Sequence, residues 1–283
     1  MILDYLKKNH SILNGFFIFV IMKNSPIGFF DSGVGGTSIW KETIKLLPYE
    51  NTIYLADSLN APYGQKSKEE IIKLSEKNTK ILMEKGAKLI VVACNTATTN
   101  AIDYLRNKYK IPFIGIEPAI KPAALQTQTN TIGILATKGT LSSALFAKTA
   151  AKFTTNVKVI EQVGEGLVPL IENNQLKSKD TTALLQKYLT PMIREGIDYL
   201  ILGCTHYPYL TPQIKEILGD KVSIIDSGFA VSKQVENILG QKNLLNTKQK
   251  QAIHTLYINT ETTALNSLLG DVAVPFSIVA EDF

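Results

Sequence analysis

Short apolar runs alternate with longer amphipathic stretches along almost the whole chain. That alternation predicts βα units around mainly parallel sheets, and hence an α/β fold. Strands are expected over residues 27–30, 52–56, 89–93, 113–116, 131–135, 157–162, 199–203, 222–225 and 255–258, with helices in most of the gaps. One helix start is written out fully. Ser67 followed three residues later by Glu70 makes a capping box, Ile71, Leu74, Ile81 and Leu82 follow at helical spacing, and Gly86 suits the C-terminal stop.

Two blocks of the pattern repeat at an interval of about 105–110 residues, a duplicated lobe and not a solenoid period. Ile27-Gly28-Phe29-Phe30 with Asp31-Ser32-Gly33 is echoed by Ile132-Gly133-Ile134-Leu135 with Thr137-Lys138-Gly139. Likewise Leu89 to Ala93 with Cys94-Asn95-Thr96 is echoed by Tyr199 to Gly203 with Cys204-Thr205-His206. Ligands of open α/β sheets bind at the carboxyl ends of strands, so all four turns are expected on functional rims. If the lobes face each other, the cysteines do too.

Composition narrows the class. Hydrophobic residues make up 45% and charged residues 19% of 283, the range of a compact globular chain. The net charge of +5 is scattered, with no long block of like charge, so it does not point to nucleic acid. Two cysteines are too few for a disulfide framework and fit a reducing cytoplasm. Residues 1–21 read as an N-terminal extension. Its apolar part is short for a bilayer and no small-x-small cleavage site follows, so stable membrane association is not expected.

A lone cysteine is usually an inert core residue. Here each one follows an apolar strand and precedes a segment able to start a helix, where N–H groups and the helix dipole bring a thiol from about 8.5 toward neutrality. Two such thiols in quasi-symmetric positions suit racemisation, which needs a base on one face of a carbon and an acid on the other. A nucleophilic mechanism leaves the second cysteine motif without a role. Metal binding lacks a CxxC or HxxxH pair. The loop Asp31-Ser32-Gly33-Val34-Gly35-Gly36 lacks the lysine of a nucleotide-binding loop, and is expected to cradle a carboxylate on its backbone N–H groups.

From Ile27 to about residue 270 the chain resembles the glutamate racemases. The motifs are Gly28-Phe29-Phe30-Asp31-Ser32-Gly33-Val34-Gly35-Gly36, Ala56-Asp57, Pro62-Tyr63-Gly64, Ala93-Cys94-Asn95-Thr96-Ala97, the run from Gly133 to Thr140, Val168-Pro169-Leu170-Ile171-Glu172 and Leu202-Gly203-Cys204-Thr205-His206-Tyr207-Pro208. The resemblance implies two α/β lobes related by a pseudo-two-fold axis, residues 22–117 plus 226–283 forming the first and 118–225 the second. It also implies a homodimer that interconverts L- and D-glutamate in the cytoplasm for peptidoglycan synthesis, without a metal or other cofactor.

By the same resemblance Cys94 removes the proton from D-glutamate and Cys204 removes it from L-glutamate, with Asp31, His206 and Glu172 assisting. Ser32, Asn95, Thr96 and Thr205 hold the amino and carboxylate ends of the substrate, and Pro62, Tyr63, Gly64, Thr137 and Thr140 surround the rest. An aspartate or other amino-acid racemase, or a non-catalytic carboxylate-binding protein with the same cleft, remains open at this point. The 1–21 extension departs from the compact members of the family, and the stretch after Gly270 matches only weakly.

Overall fold

The computed structural model describes residues 23–116, 118–247 and 250–283; the 1–21 extension lies outside them. Two parallel sheets carry the architecture. The first has the order β10-β9-β2-β1-β3-β4, built from β1 (Ile27–Asp31), β2 (Thr52–Ala56), β3 (Leu89–Val92), β4 (Phe113–Gly115), β9 (His254–Ile258) and β10 (Ser277–Ala280). The second has the order β6-β5-β7-β8, from β5 (Thr131–Ala136), β6 (Lys158–Val163), β7 (Tyr199–Gly203) and β8 (Ser223–Ile225).

The order β2-β1-β3-β4 is repeated strand for strand by β6-β5-β7-β8, and the register repeats as well. Ile27 stands beside Thr52 and Leu89, while Ile132 stands beside Val159 and Tyr199. The duplication read from the sequence is therefore a duplication of pairing. Central strands covered by helices on both faces read as unbroken apolar runs, and β1, β3 and β5 are buried along their whole length.

The helices around the first sheet are α1 (Thr37–Leu46), α2 (Lys68–Glu84), α3 (Asn95–Lys108), α10 (Gly228–Gln241) and α11 (Thr263–Leu268); those around the second are α4 (Ile120–Gln126), α5 (Lys138–Leu141), α6 (Ala144–Phe153), α7 (Leu167–Glu172), α8 (Lys179–Arg194) and α9 (Thr211–Leu218). The capping box at α2 forms as expected: the Glu70 N–H donates to Ser67 Oγ at 3.3 Å, and the Ser67 N–H donates to Glu70 Oε2 at 2.9 Å. Gly86, with φ of +83°, then ends the helix in a left-handed turn. The second lobe repeats the serine cap, without the reciprocal bond, and the closing glycine: Ser178 Oγ accepts from the Thr181 N–H at the start of α8 and Gly196 at φ +78° ends it.

One local reading needs correction. No strand was expected at residues 277–280, yet β10 extends the first sheet at its edge; it is short and mostly exposed, so its hydrophobic alternation is faint. Between β2 and α2 the chain makes two 3₁₀ turns, Ser58–Asn60 and Tyr63–Gln65, which bring Tyr63 inward. Fully buried Phe29, Phe30, Trp40 and Tyr54 fill the space between β1 and its covering helices, each contributing about 1.5–3 kcal/mol of apolar burial.

Candidate active site

Parallel pairing in register puts the carboxyl ends of β1, β2, β3, β5 and β7 on one rim of each sheet, and the two rims meet. The residues just past those ends are Ser32, Asp57, Cys94, Thr137 and Cys204. Between them lies a chamber of about 240 Å³. The first half contributes Ser32, Pro62, Tyr63, Gly64, Cys94, Asn95 and Thr96 to its wall, and the second Thr137, Val168, Cys204, Thr205 and His206. An outer cleft of about 730 Å³ shares Pro62, Gly64, Thr137 and Val168 with the chamber and adds Gln65, Lys138 and Glu165, forming its approach from solvent.

Eleven residues singled out from the sequence line the chamber. Asp31, Glu172 and Thr140 do not. Asp31 and Glu172 stand behind the wall, each in contact with groups that face inward. Thr140 closes a triangle of hydroxyls with Thr96 and Thr137, the three edges measuring 2.8, 3.3 and 3.0 Å. That triangle links the start of α3 to the start of α5 and so joins the two halves.

The two thiols sit in different surroundings. Cys94 caps α3, its sulfur accepting the Ala97 N–H at 3.4 Å, and its thiol donates to Ser32 Oγ at 3.7 Å. Ser32 Oγ in turn donates to Asp31 Oδ1 at 3.3 Å. Asp31 is wholly buried and accepts from the N–H groups of Ser32 and Gly36 at 2.7 and 2.6 Å, and from Thr205 Oγ1 at 3.3 Å. Burial pushes its carboxyl above the ordinary value, and the His206 charge and these donors offset that only in part.

Cys94 corrects the expectation of a thiol made acidic by its helix. The Ala97 N–H and Ser32 do pull in that direction, but burial, reinforced by the Asp31 charge, wins and holds the thiol well above its usual range. Cys204 has no α-helix at its back; a 3₁₀ turn, Tyr207–Leu210, follows it before α9 begins. Its partner is instead His206, whose Nδ1 lies 3.7 Å from the sulfur and whose Nε2 lies 2.5 Å from Glu172 Oε1.

For His206, burial alone pushes the imidazole down, yet Cys204 and Glu172 together outweigh it and raise the ring well above the usual histidine value. Glu172 is likewise opposed by burial and brought below its ordinary value by His206, Ser58 and the Val34 N–H. An imidazolium–carboxylate pair thus faces Cys204, and both ring nitrogens of an imidazolium are donors.

The glycine-rich loop after β1 differs from its expected use. Three of its N–H groups are taken up by the protein's own carboxylates: Ser32 and Gly36 by Asp31, and Val34 by Glu172 at 2.8 Å. The glycines permit close approach. A Cβ on Gly33 would lie 1.9 Å from Glu172 Oε1, and one on Gly35 would lie 2.2 Å from His206 Nδ1.

A donor suited to an anion is found at Asn95, whose buried Nδ2 lines the chamber without a hydrogen-bond partner among the described residues. Such an atom costs about 1–3 kcal/mol while it stays unpaired, which a bound carboxylate would recover. The sequence reading gave Asp57 only as part of a motif, without a role, and missed two further supporting groups, Ser58 and Tyr54. Asp57 is fully buried and accepts the Tyr63 hydroxyl at 2.5 Å, together with Asn60, Lys77 and Asn259; its place at the end of β2 was the available signal. Ser58 donates to Glu172 Oε2 at 2.7 Å, and the Tyr54 hydroxyl donates to the Gly33 carbonyl at 2.8 Å. Among the described residues no group of three or more His, Cys, Asp and Glu is placed to hold a metal ion, and no helix is long and apolar enough to cross a membrane.

The chain is similar in sequence and in fold to known proteins. The chain is 47% identical to a glutamate racemase of Herpetosiphon aurantiacus over 230 residues, covering 81% of this chain and 91% of that one. A glutamate racemase of Ectopseudomonas mendocina is 48% identical over 229 residues, covering 81% and 87%. Among solved structures, glutamate racemase RacE1 of Bacillus anthracis superimposes with a TM-score of 0.82 at 32% identity, covering 92% of this chain and 98% of that one. The Francisella tularensis enzyme in complex with D-glutamate gives 0.78 at 31% identity, with the same coverage. Residues 39–235 match the family model described as Asp/Glu/Hydantoin racemase, and the chain belongs to that family of racemases.

Proposed function

We propose that the chain is a glutamate racemase that interconverts L- and D-glutamate by removing the Cα proton with one of Cys204 and Cys94 and delivering a different proton from the other. The observation that carries this reading is a chamber with one thiol from each half on its wall and an unpaired amide donor beside them. Relatives named glutamate racemase, one of them solved with D-glutamate, support the choice of substrate.

In the L-to-D direction the thiolate of Cys204, next to the His206 imidazolium, takes the proton from one face of Cα, and the thiol of Cys94 delivers one to the other face. The products are a Cys204 thiol and a Cys94 thiolate, so charge and protons balance. The reverse reaction uses them as they stand; otherwise, once product leaves, the Cys204 thiol gives its proton to solvent water and the Cys94 thiolate takes one from it. The carbanion forms beside a carboxylate that is already negative. The unpaired Asn95 amide is a preorganised donor for that charge, while the Ser32 and Thr205 hydroxyls are held by Asp31.

Tyr63, held by Asp57, and Gly64 and Thr137 at the mouth bound the end that takes the side-chain carboxylate. Thr140 acts through the hydroxyl triangle, and Glu172 acts through His206. On this reading the enzyme requires no cofactor, works as a cytoplasmic homodimer and supplies D-glutamate for peptidoglycan. Chiral chromatography of the purified protein with separate amino acids tests the assignment: D-glutamate should accumulate from L-glutamate, whereas turnover of L-aspartate with none of L-glutamate would refute it.

A further inference from the structure

Glu172 belongs to α7 in the second half of the molecule, yet two of the three groups that hold its carboxylate come from the first half. Val34 N–H donates to Oε1 at 2.8 Å and the Ser58 hydroxyl donates to Oε2 at 2.7 Å. The third, His206, shares Oε1 at 2.5 Å and reaches Cys204 with its other nitrogen at 3.7 Å. Ser58 lies in the 3₁₀ turn after β2 and is only half-buried; it borders neither the chamber nor the outer cleft. A bound substrate would not touch it.

We propose that Ser58 is a positioning residue for the Cys204 proton relay: from the first half it holds the Glu172 carboxylate, and through it the His206 ring, against the thiol of the second half. The relay serving one thiol is therefore completed only where the two rims touch. Gly33 and Gly35 fit the same account, because a methyl group at either position would strike Glu172 or His206 and break the seam.

The charged and titratable groups around the ring set the sign. Cys204 and Glu172 touch it, and the buried Asp31 carboxylate at the end of β1 senses both His206 and Glu172. Loss of the Ser58 hydroxyl makes the Glu172 anion less favourable. The proton it shares with His206 then passes more readily to the carboxylate, and the imidazolium is lost at lower pH.

The effect on turnover rests on the racemase reading; the titration of the ring does not. The test is a ¹³C NMR titration of the full chain with labelled histidines, of which there are three, with His254 as the internal reference. Ser58→Ala should lower the His206 midpoint by about half a unit or more and leave His254 unmoved. Glutamate racemisation should lose about three- to tenfold in kcat with KM nearly unchanged, and Ser58→Thr should restore both. If Ser58→Ala fails to fold, Ser58→Gly removes the same hydroxyl. An unchanged His206 midpoint overturns the proposal, as does a lowered midpoint with full kcat. Should the wild type racemise nothing, the functional reading fails and the midpoint alone decides the role of Ser58.

Discussion

The two halves repeat one another in strand order, register and helix caps, but the groups behind their cysteines do not repeat. Behind Cys94 stand a hydroxyl and a buried carboxyl; behind Cys204 stand an imidazole and a carboxylate of its own half that is held partly by Val34 and Ser58 of the other. Asp31 is matched in the duplicated register by Ala136, and His206 by Thr96. Duplication supplies two thiols on opposing rims, and divergence at these positions gives one thiol an anionic neighbour and the other a cationic one. An enzyme acting on mirror-image substrates needs this difference, because its site is built from residues of one hand.

The largest effects should come from the thiols themselves. Cys94→Ala and Cys204→Ala should each reduce racemisation by about a thousandfold or more, with circular dichroism and thermal unfolding unchanged in form. Full activity in either variant would break the comparison at its root.

Next come the supporting groups. L- and D-glutamate have equal free energies, so kcat/KM must remain the same in the two directions whatever is mutated. The asymmetry has to be sought in isotope effects. Asp31→Asn should slow turnover by about a hundredfold and raise the primary effect for α-deuterated D-glutamate above that for the L form. His206→Asn should do the opposite. Equal changes in both variants would show that the two surroundings do not serve separate thiols.

Stability gives a third view of the same seam. His206 is raised above its unfolded value, so its contribution is complete below pH 6.5 and fades as pH climbs through the folded value. Glu172 is lowered, so its contribution is complete above pH 4.5 and fades as pH falls through the folded value. The pair therefore stabilises most between about pH 4.5 and 6.5. Glu172→Gln should cost about 3 kcal/mol there, and the difference from wild type in denaturant unfolding should narrow toward both acid and alkali. A cost independent of pH would mean the pair is not ionised.

The smallest effects belong to features the halves share. Ser67→Ala and Ser178→Ala each remove a cap that accepts a helix N–H, and should each cost about 1 kcal/mol without altering turnover.

Much of this comparison was legible in the sequence. Apolar runs ending in Cys94 and Cys204 at the same place in a repeated block gave the parallel sheets, the facing rims and most of the chamber wall, since strand ends and period are local properties. What escaped detection depends on contact between distant segments. Ser58 meets Glu172 only across the seam, the glycine loop is filled by Glu172 and Asp31 instead of lying open, and the acidity expected of Cys94 from its helix is overruled by burial. β10 was missed for a different reason: an exposed edge strand of four residues carries little hydrophobic pattern.

The claim that one thiol removes the Cα proton while the opposed thiol delivers another is tested most directly by racemising L-glutamate in deuterated water and stopping at low conversion. The account predicts that the D-glutamate formed carries deuterium at Cα while the remaining L-glutamate is still protiated. Deuterium appearing in the remaining L-glutamate as fast as in the product, or D-glutamate retaining the original proton, would contradict it.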